Sequence, residues 1–213
     1  MCANYGFSNL LTWTTLVDLA GLMAGAGALN LPEEERFFPG TMAPIVVNTP
    51  AGRVARRMHW GLVPPFWNQP LEEKRFPTFN YNSRADDWLD KPSFRDAVRH
   101  RRCIIPATFF AEYSGPAGAK QAIPFGRPDG APFAMAGVWG KWSGLHKGEP
   151  VQMNTFSMLT TSANAVVHPI HPKAMPVVLS WADIGLWMEG PLDEAITLAR
   201  PCPDEALVRL GDT

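Results

Sequence analysis

The sequence predicts an α+β fold: a strongly bent, mostly antiparallel, barrel-like β-sheet with a few short helices at its periphery. Three observations carry this expectation. Twenty-one prolines and 18 glycines among 213 residues interrupt helices and supply turns, which disfavours a helical bundle. Short apolar and β-branched runs recur along the chain, most of them bounded by Gly or Pro, as strands are. These runs do not alternate regularly with helical patterns, as a doubly wound parallel sheet requires.

In chain order, a first helix is expected at Thr15. Asp18 follows three residues later and Leu16, Leu19 and Met23 supply an apolar stripe, the reciprocal capping pattern of a helix start. A strand is expected from Ile45 to Val47. Ser93 with Asp96 repeats the capping pattern, and strands follow at Cys103 to Ile105, Phe109 to Tyr113, Phe133 to Val138, Phe156 to Thr161 and Met175 to Leu179. Ser180 with Asp183 marks the last helix start.

Apolar residues make up 46% of the chain and charged residues 18%, enough core material and too little charge for intrinsic disorder. No linker or repeat divides the chain, so one domain over residues 1–213 is expected. With 19 basic and 20 acidic residues and a net charge of −1, capture of nucleic acid by the field of the whole protein is excluded, and any polyanion site must be local. No apolar run approaches the ~18 residues of a spanning helix. The opening Met-Cys-Ala-Asn-Tyr lacks a basic segment followed by an apolar one, so a cytoplasmic protein is expected. Cys2, Cys103 and Cys202 show no C-x-x-C spacing, which argues for free thiols rather than a disulfide framework or a zinc site.

Five places could carry chemistry. Cys2 becomes the chain terminus if Met1 is removed, and then bears a thiol and an α-amine on adjacent carbons. Such a 1,2-aminothiol attacks an aldehyde through nitrogen and closes with sulfur to a thiazolidine, or acts as an N-terminal nucleophile on an amide; a small second residue is also common without any catalytic role. Glu112 is the sole charge in the run from Cys103 to Tyr113. Burial would raise its pKa into the range of a general acid, whereas at a rim it would pair with an arginine. His171 precedes the strand at Met175 and could shuttle protons; with His168 it could form a metal pair, or either could be structural. The stretch from Asn80 to Asp87 reads as an extended loop presenting Asn82 and Arg84, an amide to orient a reacting group and a guanidinium to grip phosphate; an Asx turn with a surface ion pair is the alternative. Phe66 and Trp67, behind Pro64-Pro65, could form a platform for stacked bases or belong to the core.

Taken in order, these motifs resemble the SRAP (SOS response-associated peptidase) family. The resemblance runs through Met1-Cys2, Trp60-Gly61-Leu62-Val63-Pro64, Asn82-Ser83-Arg84-Ala85-Asp86 and Arg102-Cys103-Ile104-Ile105-Pro106-Ala107 leading to Glu112. It continues through Phe133-Ala134-Met135-Ala136-Gly137-Val138-Trp139 and from Thr160 past His171 to Met175-Pro176. It implies a protein that covalently captures abasic sites in single-stranded DNA through the freed Cys2 and shields them from cleavage. By the same likeness, Asn82 positions Cys2 and the sugar, Glu112 protonates the ring oxygen and His171 shuttles protons. Arg84 and Lys173 hold phosphate, Thr160 lines the pocket, and Phe66 with Trp67 stack on bases or wedge against the neighbouring duplex. Thiol peptidase action on its own N-terminus and DNA lyase activity are further implications. No cofactor or metal, no membrane and no obligate protein partner is implied, and a monomer, nucleoid-associated when on DNA, is expected.

The chain departs from the family at three points. Ala3-Asn4 stands where Gly-Arg is usual, His171-Pro-Lys-Ala-Met-Pro is one residue longer than the usual pattern, and Thr108-Phe109 replaces Asp-Gly. Arg53, Arg56, Arg57, Arg84 and Lys173 are candidates for a basic stripe along one groove. Two other readings of the residues remain beside capture: a cysteine peptidase using the same thiol, and a non-catalytic single-stranded DNA binding module that needs Arg84 and Trp67 but not Cys2.

Overall fold

Five strands close on themselves to form the centre of the computed structural model, which describes residues 2–7, 35–71, 80–116 and 118–211. They are β3 (Met42–Thr49), β4 (Gly52–Trp60), β6 (Arg102–Ala107), β9 (Phe133–His146) and β10 (Glu149–Thr161). The order is β10-β4-β3-β6-β9, and a β9–β10 pairing completes the ring. All neighbours in the ring are antiparallel except β4 and β10, which run parallel with Phe156 opposite Trp60. The β9–β10 hairpin turns at Lys147 and Gly148, whose φ values of 52° and 82° are the paired positive angles of a two-residue hairpin loop. Closing the ring brings backbones close: a Cβ on Gly137 would lie 2.9 Å from Ile105 Cδ1 and 3.0 Å from the Ser157 carbonyl oxygen.

Short strands extend this sheet. β5 (Asn82–Arg84) lies parallel to β10, β11 (Met175–Pro176) pairs with β10, and β12 (Val178–Leu179) pairs with β9. A second, antiparallel sheet has the order β13-β8-β7-β1-β2, built from β1 (Tyr5–Phe7), β2 (Glu35–Phe37), β7 (Phe109–Ser114), β8 (Gln121–Gly126) and β13 (Val208–Arg209).

Strand alternation sorts the core into two faces. Ile45, Val47, Cys103, Ile105, Met135, Phe156 and Met158 join Cys2, Tyr5 and Phe110 in one apolar cluster. Their neighbours Val46, Ile104, Ala134, Ala136 and Leu159 point the other way, into a cluster with the helices α1 (Arg95–His100), α2 (Ile184–Glu189) and α3 (Leu192–Ala195). Burial on both faces explains why β6 reads as an apolar run from Cys103 to Ala107. The predicted architecture, a bent barrel with short helices outside it, is the one observed.

Local expectations fared unevenly. All the predicted strands are present, the run from Met175 to Leu179 as β11 and β12. Ser180 caps a 3₁₀ turn leading into α2: its Oγ accepts from the Asp183 N–H at 3.3 Å and donates to Asp183 Oδ2 at 2.6 Å. Ser180→Ala is expected to cost about 1 kcal/mol of unfolding free energy, measurable by urea denaturation. Ser93 does not cap α1, which begins at Arg95 behind Phe94 without a side-chain cap. The stretch from Asn80 to Asp87 is not wholly loop, since it contains β5. The pattern at Thr15 lies outside the described residues. Among the described residues no helix is long and apolar enough to cross a membrane.

Candidate active site

The site forms where the start of the chain meets both sheets. β1 pairs with β7, with Tyr5 opposite Phe110, and the Ala111 N–H continues the ladder by donating to the Asn4 carbonyl at 2.8 Å. This pairing draws Cys2 alongside the strand that bears Glu112. From the barrel, β5 lies beside β10 with Asn82 opposite Met158. There Asn82 Nδ2 donates to the Cys2 carbonyl at 2.7 Å, a contact across 80 residues of chain. The turn between β10 and β11 supplies His171, whose Nδ1 lies 4.0 Å from Glu112 Oε2. The structure therefore brings Cys2, Asn82, Glu112 and His171 together.

Electrostatics at this point follow from burial. Glu112 is 1% exposed, so it is no rim carboxylate. Loss of hydration pushes its pKa up to about 7, which leaves it able to give or take a proton near neutrality. The Cys2 side chain is fully buried, with Sγ 3.4 Å from the Asn4 carbonyl and 3.9 Å from that of Ala111. Burial, and then the Glu112 charge, push its thiol pKa up, which favours the neutral thiol. Burial lowers the His171 pKa. The Nδ1 of His171 lies 2.7 Å from the Ala174 carbonyl; a carbonyl only accepts, so Nδ1 carries the proton.

Tyr81 belongs to the same neighbourhood and was not singled out from the sequence. Its pKa is raised by burial and then by Cys2 and Glu112. Its carbonyl accepts from Trp60 Nε1 at 2.7 Å and from the Met158 N–H at 2.9 Å, which holds the backbone just ahead of Asn82. Its place beside Asn82 was the only signal available.

The remaining candidates surround this centre. Arg84, two residues beyond Asn82 on β5, pairs with Asp86 and donates from Nη1 to the Lys173 carbonyl at 3.0 Å. Lys173 is exposed, as is His168. Thr160 is buried and donates from Oγ1 to the Ser83 carbonyl at 3.3 Å, tying β5 to β10. Phe66 is 59% exposed. Trp67 is half-buried against Val63, Leu71 and Trp142, and its carbonyl accepts from Trp142 Nε1 at 2.9 Å. Of the proposed basic stripe, Arg53 is paired with Glu189 at 2.8 Å, while Arg56 and Arg57 are exposed. All three cysteines are free thiols.

The chain is similar to several known proteins. The abasic site processing protein YoaM of Bacillus subtilis is 33% identical over 137 residues, covering 63% of this chain and 56% of that protein. YoqW of the same bacterium is 30% identical over 165 residues, 74% of this chain and 70% of that protein. HMCES of Gallus gallus is 30% identical over 178 residues, 72% of this chain and 52% of that protein. The chain thus spans little more than half of YoaM and HMCES. Crystal structures show the same fold. A Bacteroides thetaiotaomicron protein superposes with a TM-score of 0.82 at 23% identity, covering 98% of this chain and 90% of that one. A Bordetella bronchiseptica protein does so with 0.77 at 22% identity, covering 98% of each. The family model for SOS response associated peptidase (SRAP) matches residues 1–210, and the chain belongs to that family.

Proposed function

We propose that this chain processes abasic sites in single-stranded DNA by forming a thiazolidine with the open-ring sugar through Cys2 once Met1 is removed. The observation that carries the reading is the Asn82 amide on the Cys2 carbonyl at 2.7 Å, at a point where Glu112 and His171 also converge. Relatives named as abasic site processing proteins support the substrate.

The chemistry divides among these groups. Protonated Glu112 delivers its proton to the ring oxygen as the C1′–O4′ bond breaks, and the C1′ hydroxyl gives up its proton to solvent, releasing the aldehyde. The free α-amine of Cys2 adds to C1′, and loss of one water gives an imine. Sulfur then adds to the imine carbon while its proton passes to nitrogen through the Glu112 carboxylate or His171. One water is lost overall and nothing is oxidised or reduced. Holding nucleophile and acid against a minor aldehyde form can remove several kcal/mol from the barrier.

DNA is held beside this centre by Arg84 and Lys173, with Phe66 and Trp67 offered to bases. Arg84 already presents its guanidinium to the Asp86 carboxylate, a geometry that phosphate can take over. Arg84→Ala is expected to weaken binding of single-stranded DNA of any sequence and to reduce the salt dependence by about one phosphate contact. Fluorescence anisotropy across a salt series checks this; an unchanged slope removes Arg84 from the interface.

A second activity of the same groups is hydrolysis of the Met1–Cys2 bond. The acid/base pair beside Cys2 and the peptidase description of the family favour it. The reading as a whole is tested by mixing the mature chain with abasic and intact oligonucleotides. An SDS-resistant band with the abasic strand alone supports capture; tight binding with no such band leaves a binding module.

A further inference from the structure

We propose that Asn164 is a positioning residue that fixes the turn carrying His171 against Glu112. The proposal rests on the reading above, in which His171 moves protons at Cys2. Asn164 touches none of the reacting groups and acts through the backbone.

β10 ends at Thr161, and the chain must reverse before β11 begins at Met175. Asn164 organises that reversal from a buried position, at 6% exposure. Its Oδ1 accepts from the Val167 N–H at 3.1 Å, and its carbonyl accepts from the His168 N–H at 2.9 Å. The Val167 side chain is fully buried, and its carbonyl accepts from the N–H groups of Ile170 at 3.0 Å and His171 at 2.9 Å. The bonds thus run from Asn164 to Val167 and from Val167 to His171, whose ring is then fixed by the Ala174 carbonyl.

The other half of the Asn164 amide anchors this turn to a distant part of the chain. Nδ2 donates to the Cys202 carbonyl at 3.3 Å, the Asn164 N–H donates to Met175 Sδ at 3.2 Å, and the next N–H, of Ala165, donates to Asp204 Oδ1 at 2.9 Å. An asparagine suits the position because it is acceptor and donor at once. Its oxygen caps the turn as a side chain caps a helix start, and its nitrogen ties the cap to residue 202. Alanine removes both functions; serine keeps an acceptor for Val167 and loses the tether.

The test compares wild type with Asn164→Ala, Asn164→Ser, His171→Ala and the Asn164→Ala/His171→Ala pair. Adduct formation on abasic single-stranded DNA is one readout, and NMR titration of the His171 ring without DNA is the other. Among the described residues, the charged or titratable groups facing His171 are Glu112 from β7 and Lys173 on its own turn. Asn164→Ala is expected to slow adduct formation about tenfold or more with unchanged affinity for intact single strands. It should add nothing once His171 is gone, and should move the ring's titration upward toward the ordinary histidine value. Asn164→Ser should recover part of the rate. A folded Asn164→Ala or Asn164→Ser protein with wild-type titration overturns the proposal, as does full additivity with His171→Ala. If His171→Ala leaves the rate untouched while Asn164→Ala shifts the titration, positioning stands and the role given to His171 falls.

Discussion

Cys2→Ala is expected to abolish the SDS-resistant adduct with abasic single-stranded DNA altogether, while non-covalent affinity stays within about twofold because the proposed phosphate contacts, Arg84 and Lys173, lie elsewhere. Of the nucleophilic pair, only the sulfur is removed. Alanine keeps the α-amine, so imine formation survives, but no sulfur closes the ring and the imine hydrolyses when the protein is denatured. Reduction with borohydride should trap that imine in the alanine variant, which separates the sulfur step from the nitrogen step. The β1–β7 pairing does not involve the thiol, so the variant should fold. If Cys2→Ala still yields an adduct stable to SDS without reduction, sulfur has no part in the linkage.

Glu112→Gln should slow adduct formation about a hundredfold, the lower range for loss of a general acid, with little change in DNA affinity. Its pH signature is specific. The wild-type carboxyl is held up to about 7 by burial, so the protonated form that opens the sugar is lost as pH rises through neutrality. On the acidic side the α-amine, with an ordinary pKa of about 7.7–8.0, becomes protonated and stops attacking. The wild-type rate should therefore be bell-shaped and the glutamine variant should lose the alkaline limb. Stability carries the same sign. A carboxyl whose folded pKa is raised above the ordinary 4.5 to about 7 contributes stability that is fully present below 4.5 and lost as pH rises through about 7. Glu112→Gln should flatten that decline in urea-denaturation midpoints between pH 5 and 8. An unchanged rate profile and an unchanged stability slope would remove Glu112 from the chemistry.

Legibility in the sequence followed burial. Strands apolar on both faces, such as β6 with Cys103, Ile104 and Ile105 all fully buried, stand out in any reading. β4 escaped because Arg53, Arg56, Arg57 and His59 interrupt it; its outward positions are charged and only Met58 and Trp60 are buried. β8 contains Pro124, and β5 is three residues of polar character held by its parallel neighbour β10. Neither has a local signal. Ser93 shows the opposite failure, a capping pattern one position out of register with the helix it precedes.

The candidate site was legible through resemblance more than through spacing. Cys2, Asn82, Glu112 and His171 are far apart in the chain, and nothing local announces that β1–β7 and β5–β10 pairing bring them together. The environment of each was partly readable. A lone carboxylate in an apolar run did prove buried, and the amide of Asn82 is hydrogen-bonded to the Cys2 carbonyl. Thr160 shows what sequence position cannot tell: its hydroxyl faces the Ser83 carbonyl, a contact set by strand pairing. The hub at Asn164 was invisible for the same reason, since its partner Cys202 lies 38 residues further on.

Intact-protein mass spectrometry of the mature chain, with and without an oligonucleotide bearing one abasic site, addresses the central claim most directly. The mature chain should lack Met1 and gain the full oligonucleotide mass less one water, with the linkage mapped to residue 2 after digestion. A chain that stays at its own mass, or a linkage mapped to any other residue, would contradict it.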